Sequence, residues 1–159
     1  NDVVPQALAL FSPHERPRVL HQSGAAQIER LRANYAAAGV EAELTPFIDD
    51  PARAFAEADL IVCRAGASTV TEIAAIGAAA IFVPFPSAVD DHQTANARFL
   101  VDAGGGWLLP QSELSPERLA DMLRNMERTV LMSKALDAKK MQKMNATDAV
   151  VAACEELAA

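Results

Sequence analysis

The segment Cys63-Arg64-Ala65-Gly66-Ala67-Ser68-Thr69-Val70-Thr71-Glu72 follows the apolar run Leu60-Ile61-Val62-Cys63 and enters a helical pattern through small and hydroxylated residues. Backbone N–H groups left free at such a helix start, reinforced by the helix dipole, favour a phosphate. Ser68 and Thr69 add hydroxyl donors. Glu72 falls one turn into the helix, where its carboxylate can accept from the vicinal hydroxyls of a ribose or favour the positive helix end. The competing reading is local: Ser68 caps the helix, and Thr71 or Glu72 closes a capping arrangement. The chain has no GxGxxG, so the usual dinucleotide fingerprint is absent.

Three other strand ends carry polar groups. In Phe47-Ile48-Asp49-Asp50, two apolar residues before a helix start can flank a base while backbone groups bond its edge; the alternative is core packing plus an Asp cap. Asp90-Asp91-His92-Gln93-Thr94-Ala95-Asn96 sets His92, Gln93 and Asn96 within about one helical turn, all able to bond sugar hydroxyls. Asp90 and Asp91 do not suggest a metal, because they are adjacent, lack a third ligand at helical spacing and suit a helix N-terminus. His21-Gln22-Ser23-Gly24 offers a Ser23 hydroxyl for a phosphate and a glycine for close approach, or a turn with a local cap. His14 reads as exposed. Cys63 reads as a small buried residue, since no base stands near it in sequence.

The elements that must position these residues alternate. Asn1 to Leu10 reads as a helix, Arg18 to His21 as a strand, and Ile28, Leu31, Tyr35 and Ala38 as a helix closed by Gly39. Glu41 to Phe47 is a strand, Ala52 to Ala58 a helix starting at Asp50-Pro51, and Leu60 to Cys63 a strand covered on both faces. A helix begins near Ser68. Ala79 to Val83 is a strand, His92 to Ala103 a helix broken by glycines 104–106, and Trp107 to Leu109 a last strand. Ser115-Pro116-Glu117 starts the helices that run to Leu157, with breaks expected near Ser133 and Asn145. The pattern predicts an α/β, Rossmann-like parallel sheet with helices on both faces, binding ligands at the carboxyl ends of its strands.

Composition narrows the function classes. The chain has 159 residues, enough for one domain spanning 1–159, and a hydrophobic fraction of 51%. With only 5% aromatic residues, its core must be largely aliphatic. A net charge of −7 argues against nucleic acid as a partner. Cys63 and Cys154 form no metal or disulfide pattern, which suits a reducing compartment. No apolar run spans a bilayer, so membrane association is expected to be peripheral. Asn1 opens inside a helical pattern without an initiator Met or a preceding strand, and is read as the start of a fragment.

The strings Leu20-His21-Gln22-Ser23-Gly24, Phe47-Ile48-Asp49-Asp50, Cys63-Arg64-Ala65-Gly66 with Thr69-Val70-Thr71-Glu72, and Asp91-His92-Gln93 with Asn96-Ala97 together resemble the MurG family of bacterial GT-B glycosyltransferases. The resemblance covers essentially the whole chain and implies the C-terminal half of a GT-B enzyme. That family moves N-acetylglucosamine from UDP-GlcNAc to the lipid-linked muramyl-pentapeptide, making lipid II for peptidoglycan at the cytoplasmic face of the inner membrane. By resemblance, Ile48 bonds uracil through its backbone, and Ala67, Ser68, Thr69, Val70 and Thr71 hold the diphosphate. Glu72 binds the ribose, Gln93 reads GlcNAc hydroxyls with His92 alongside, and Ser23 approaches the phosphates. It implies no cofactor and no metal. The family's acceptor-binding N-terminal domain, its candidate base and its first C-domain strand lie outside this chain, so no catalytic residue is expected within it. Two alternatives stand: a non-catalytic nucleotide-sugar-binding subunit of a split GlcNAc transferase, and a UDP-GlcNAc 2-epimerase.

Overall fold

The computed structural model describes residues 1–86 and 91–158. Its elements are α1 (Val3–Ala9), β1 (Leu20–Gln22), α2 (Ile28–Ala38), β2 (Glu43–Thr45), α3 (Pro51–Glu57), β3 (Ile61–Cys63) and α4 (Ala67–Ile76). They continue with β4 (Ala80–Phe82), α5 (His92–Val101), β5 (Gly106–Leu108), α6 (Pro116–Arg124), α7 (Arg128–Lys140) and α8 (Ala146–Ala158). All strand pairing is parallel: β1 lies beside β2, and β4 lies between β3 and β5.

Strand β4 explains why its sequence is apolar without alternation. Its side chains project to opposite faces in turn, and both faces are covered. Ala80 and Phe82 join Ile61, Val70, Ile73, Leu100 and Ala138, a cluster drawn from α4, α5 and α7. Ile81 and Val83 join Ala7, Phe11, Leu109 and Leu119 on the side of α1 and α6. A third cluster, with Leu8, Ile28, Leu31 and Tyr35, packs α1 against α2 beside the β1–β2 pair. The expected helices on both faces of a parallel sheet are therefore present.

The local signals at helix ends hold. Gly39 closes α2 in the left-handed region at φ 62°, and Ser115 caps α6 by accepting from the Arg118 N–H, with Pro116 in the first turn. Asp50 caps α3 by accepting from the Arg53 N–H at 3.0 Å. Replacing Asp50 with alanine strands that donor; a loss of about 1 kcal/mol is expected, read as a lower urea midpoint at unchanged slope.

One of the two expected helix breaks is displaced. α7 runs through Ser133 without interruption, and the break falls between Arg124 and Arg128 instead. There the Asn125 side chain donates back to the Asp121 carbonyl at 2.8 Å, and Glu127 turns extended to start α7. The second break falls as expected, with α8 starting at Ala146.

The glycine triplet ends α5 but also begins β5, one residue earlier than periodicity indicated. Close approach is the reason. A Cβ on Gly105 would lie 2.9 Å from the Ala138 Cα, and one on Gly106 would lie 2.6 Å from the Ala80 carbonyl oxygen. These glycines let α7 and β4 press directly on the chain.

Candidate functional site

The turn from β3 into α4 is the centre of the arrangement. Gly66 is the N-cap residue, with no side-chain cap, so the helix begins at Ala67 rather than at Ser68. The Val70 N–H donates to the Gly66 carbonyl at 3.0 Å, closing the first turn. The N–H groups of Ala67, Ser68 and Thr69 therefore precede the first intrahelical bond. Ser68 is exposed and Thr69 half-buried. The Thr69 hydroxyl lies 3.8 Å from where a Cβ on Gly66 would sit, so it stands over the loop.

Two of the residues assigned to the diphosphate have other duties. Val70 is buried in the core and its amide is bonded within the helix, so neither faces a ligand. The Thr71 hydroxyl donates to the Ala67 carbonyl at 2.8 Å, as hydroxyls do inside helices. The capping arrangement that competed with the phosphate reading does not form, because Ser68 lies inside the helix. Glu72 is exposed and has no hydrogen-bond or ion-pair partner among the described residues.

The neighbouring strand end is fastened to this turn. Arg64 donates through Nη1 to the Val83 and Pro84 carbonyls at 3.1 and 2.9 Å, and its guanidinium lies 5.4 Å from the centre of the Phe85 ring. The Phe85 N–H donates to Gln93 Oε1 at 3.0 Å. Gln93 thus has its carbonyl engaged and its Nε2 amide left to donate. The Asn96 side chain donates to the Ala65 carbonyl at 3.1 Å, so it braces the loop instead of standing ready for a sugar. His92 begins α5 and is exposed. Asp91 precedes it in the left-handed region at φ 51°, while Asp90 lies outside the described residues.

At the other sheet, the Ser23 N–H donates to the Thr45 carbonyl at 3.2 Å, carrying the β1–β2 pairing one step further. The Ser23 hydroxyl donates to the adjoining Gly24 carbonyl at 3.2 Å, the local turn that the sequence also allowed. Thr45 Oγ1 donates to the Phe47 carbonyl at 2.6 Å, shaping the bend before Ile48. Phe47 is 65% exposed, so it is not core, and Ile48 is half-buried. The Asn1 side chain bonds His21 Nε2 at 3.2 Å.

Burial fixes several protonation states. The Cys63 thiol is pushed up to about 12, which keeps it protonated and unreactive. Tyr35 is likewise pushed up to about 12 by burial, and its hydroxyl meets His21 Nδ1 at 3.0 Å. Burial lowers His21 from 6.5 to about 4. The unfolded imidazole takes up a proton near pH 6.5 and the folded one does not, so the unfolded state gains protons first as pH falls. This contribution to stability is complete above about pH 6.5 and declines toward pH 4. Urea midpoints measured across that window should fall less steeply for His21→Gln than for the wild type.

Among the described residues, no group of three or more His, Cys, Asp or Glu side chains is placed to hold a metal. No helix among them is long and apolar enough to cross a membrane. Sequence reasoning missed Arg64 and misplaced Asn96; the one available signal was a charged residue directly after the apolar run Leu60 to Cys63, which is not covered on both faces as expected, since Val62 is exposed.

The sequence and the fold both have counterparts among known proteins. Two relatives, from Paracidovorax citrulli and Albidiferax ferrireducens, bear the name UDP-N-acetylglucosamine–N-acetylmuramyl-(pentapeptide) pyrophosphoryl-undecaprenol N-acetylglucosamine transferase. The first is 74% identical over 159 residues, covering 100% of this chain and 45% of the relative. The second is 73% identical over 157 residues, covering 99% and 40%. The chain thus spans less than half the length of either. The crystal structure of Acinetobacter baumannii MurG superposes with a TM-score of 0.87 at 45% identity, over 96% of this chain and 46% of that one. The glycosyltransferase VinC in complex with DTDP shares the fold at TM-score 0.60 and 24% identity, over 89% of this chain and 32% of its own. Residues 1–155 match the glycosyltransferase family 28 C-terminal domain, and the chain belongs to that family.

Proposed function

We propose that this chain is the donor-binding domain of an inverting transferase that moves GlcNAc from UDP-GlcNAc to the lipid-linked muramyl-pentapeptide, making lipid II for peptidoglycan. The observation that carries this is the 73–74% identity, over nearly all of the chain, to two relatives named for that reaction. The same names favour transfer over the epimerase and split-subunit alternatives.

In this reading the Ala67, Ser68 and Thr69 amides and the Ser68 and Thr69 hydroxyls receive the diphosphate. They stabilise the charge that grows as UDP departs. Val70 and Thr71 contribute by building the first helical turn. Glu72 accepts from the ribose hydroxyls, Ile48 meets uracil through its backbone beside the exposed Phe47 ring, and Ser23 approaches the phosphates through the turn it shapes. Gln93 donates from Nε2 to a GlcNAc hydroxyl, with His92 beside it. The acceptor site and the base that deprotonates the acceptor hydroxyl come from the rest of the protein. The whole enzyme works peripherally at the cytoplasmic face of the inner membrane.

The test is a UDP-GlcNAc titration followed by residue-resolved NMR. Shifts clustered at Ile48, Ser68, Thr69, Glu72 and Gln93 are expected, and unmoved resonances at saturating ligand would sink the assignment. Transfer by the full-length protein, assayed with lipid-linked muramyl-pentapeptide, tests the reaction itself.

A further inference from the structure

The Arg64 guanidinium is engaged on three sides. It donates to two successive carbonyls, Val83 and Pro84, and lies over the ring of the next residue, Phe85. Arg64 belongs to the β3–α4 turn, and everything it touches belongs to the segment that leaves β4. That segment needs an outside hold, because Pro84 and Pro86 have no N–H to give. Phe85, between them, has one, and it donates to Gln93 Oε1 at 3.0 Å. A continuous chain of contacts thus runs from the turn before α4, through Arg64 and Phe85, to the carboxamide at the start of α5. Asn96 ties the same two segments from the other side by donating to the Ala65 carbonyl.

Engaging the Gln93 carbonyl has a chemical consequence. A free carboxamide can rotate and present either its oxygen or its NH2 group. With Phe85 N–H on the oxygen, the orientation is chosen, and Nε2 becomes the group offered. We propose that Arg64 is a positioning residue: by fixing the Val83-Pro84-Phe85 turn it keeps the Gln93 carboxamide oriented as a donor, and so tunes recognition of the sugar without touching it. This rests on the donor-binding reading above. Lysine is a poor substitute, since one ammonium can reach the carbonyls but lacks the planar face that lies over Phe85.

The experiment uses the full-length protein, titrated calorimetrically with UDP and separately with UDP-GlcNAc. In Arg64→Ala, UDP affinity is expected to stay within about twofold while UDP-GlcNAc weakens about tenfold, the scale of one neutral hydrogen bond. Arg64→Lys should lose roughly threefold for the sugar nucleotide. Gln93→Ala should match Arg64→Ala, and the double variant should be no worse than either, because both remove the same contact. Equal weakening of UDP and UDP-GlcNAc overturns the proposal, since Arg64 would then act on the diphosphate or on the fold. Additive losses in the double variant also overturn it.

Amide exchange supplies a readout independent of the donor reading. The Phe85 N–H should exchange at least about tenfold faster in Arg64→Ala, while the Val83 N–H, bonded to the Cys63 carbonyl at 2.8 Å, keeps its protection. If the wild type binds neither UDP nor UDP-GlcNAc, the donor reading falls. The link from Arg64 to Gln93 is then decided by exchange: faster Phe85 exchange supports it, and unchanged exchange overturns it.

Discussion

Alanine in place of Glu72 is expected to weaken UDP-GlcNAc binding by about a hundredfold, with UDP alone affected to the same degree. Glu72 is exposed, one turn into α4, and has no partner among the described residues, so its carboxylate stands ready to accept from a ligand. A carboxylate bridging two vicinal hydroxyls makes two charge-assisted bonds, each about 1.5–3 kcal/mol, partly offset by its own desolvation. The parallel loss for UDP is what locates the contact on the nucleoside rather than on the sugar. Glu72→Gln, which keeps one acceptor oxygen without the charge, should fall between. Calorimetric titration of the three proteins decides it. An Ala variant that binds UDP as the wild type does would move the ribose contact to another residue. Because the side chain supports nothing in the fold, the thermal midpoint without ligand should barely change.

The second large effect is on stability. Phe82→Ala is expected to cost about 4 kcal/mol, read as a shift of the urea midpoint at constant slope. The ring is fully buried within the cluster that joins β4 to α4, α5 and α7, so its removal leaves a void that the rigid β4 backbone cannot close. Domains of this size are stable by only about 5–15 kcal/mol, so the variant would lie near the folding threshold. Val62 on the adjacent strand is the control. It is 40% exposed, and Val62→Ala should cost under about 1 kcal/mol. Similar losses at the two positions would contradict the burial pattern. Phe82 also directly precedes the carbonyls that Arg64 holds, so donor affinity in Phe82→Ala should fall along with stability.

What could be read from the sequence depended on whether the signal was carried by residue type. Asp50-Pro51, Ser115-Pro116 and Gly39 announce helix ends because few other residues satisfy those backbone positions, and each is found where expected. The apolar run Leu60 to Cys63 announced a strand covered on both faces, yet Val62 is exposed there; the strand buried throughout is β4, whose run Ala79 to Val83 was read simply as a strand. The polar loops at four strand ends were visible through their residue types. Arg64 and Asn96 were not legible as braces, since their acceptors are backbone carbonyls of Val83, Pro84 and Ala65, which every residue possesses. The helix break misplaced to Ser133 has a similar origin: Asn125 ends α6 through a bond to its own preceding turn, and such bonds compete with helix in ways composition does not reveal. The site residues that need revision are those whose groups the fold itself uses, Val70 in the core and Thr71 in the helix.

The first turn of α4 presents main-chain N–H groups at Ala67, Ser68 and Thr69, and no side chain caps them. Donors of that kind are not encoded by codon choice: almost any substitution at these three positions leaves them in place. An inhibitor gripping the amides would therefore face few escape routes by point mutation. Proline is the exception, and at residue 67, the first helical position, the helix would tolerate it. Resistance to such a compound would have to arise by that single replacement or by tilting the whole helix, a change the glycine-backed packing of its neighbours resists.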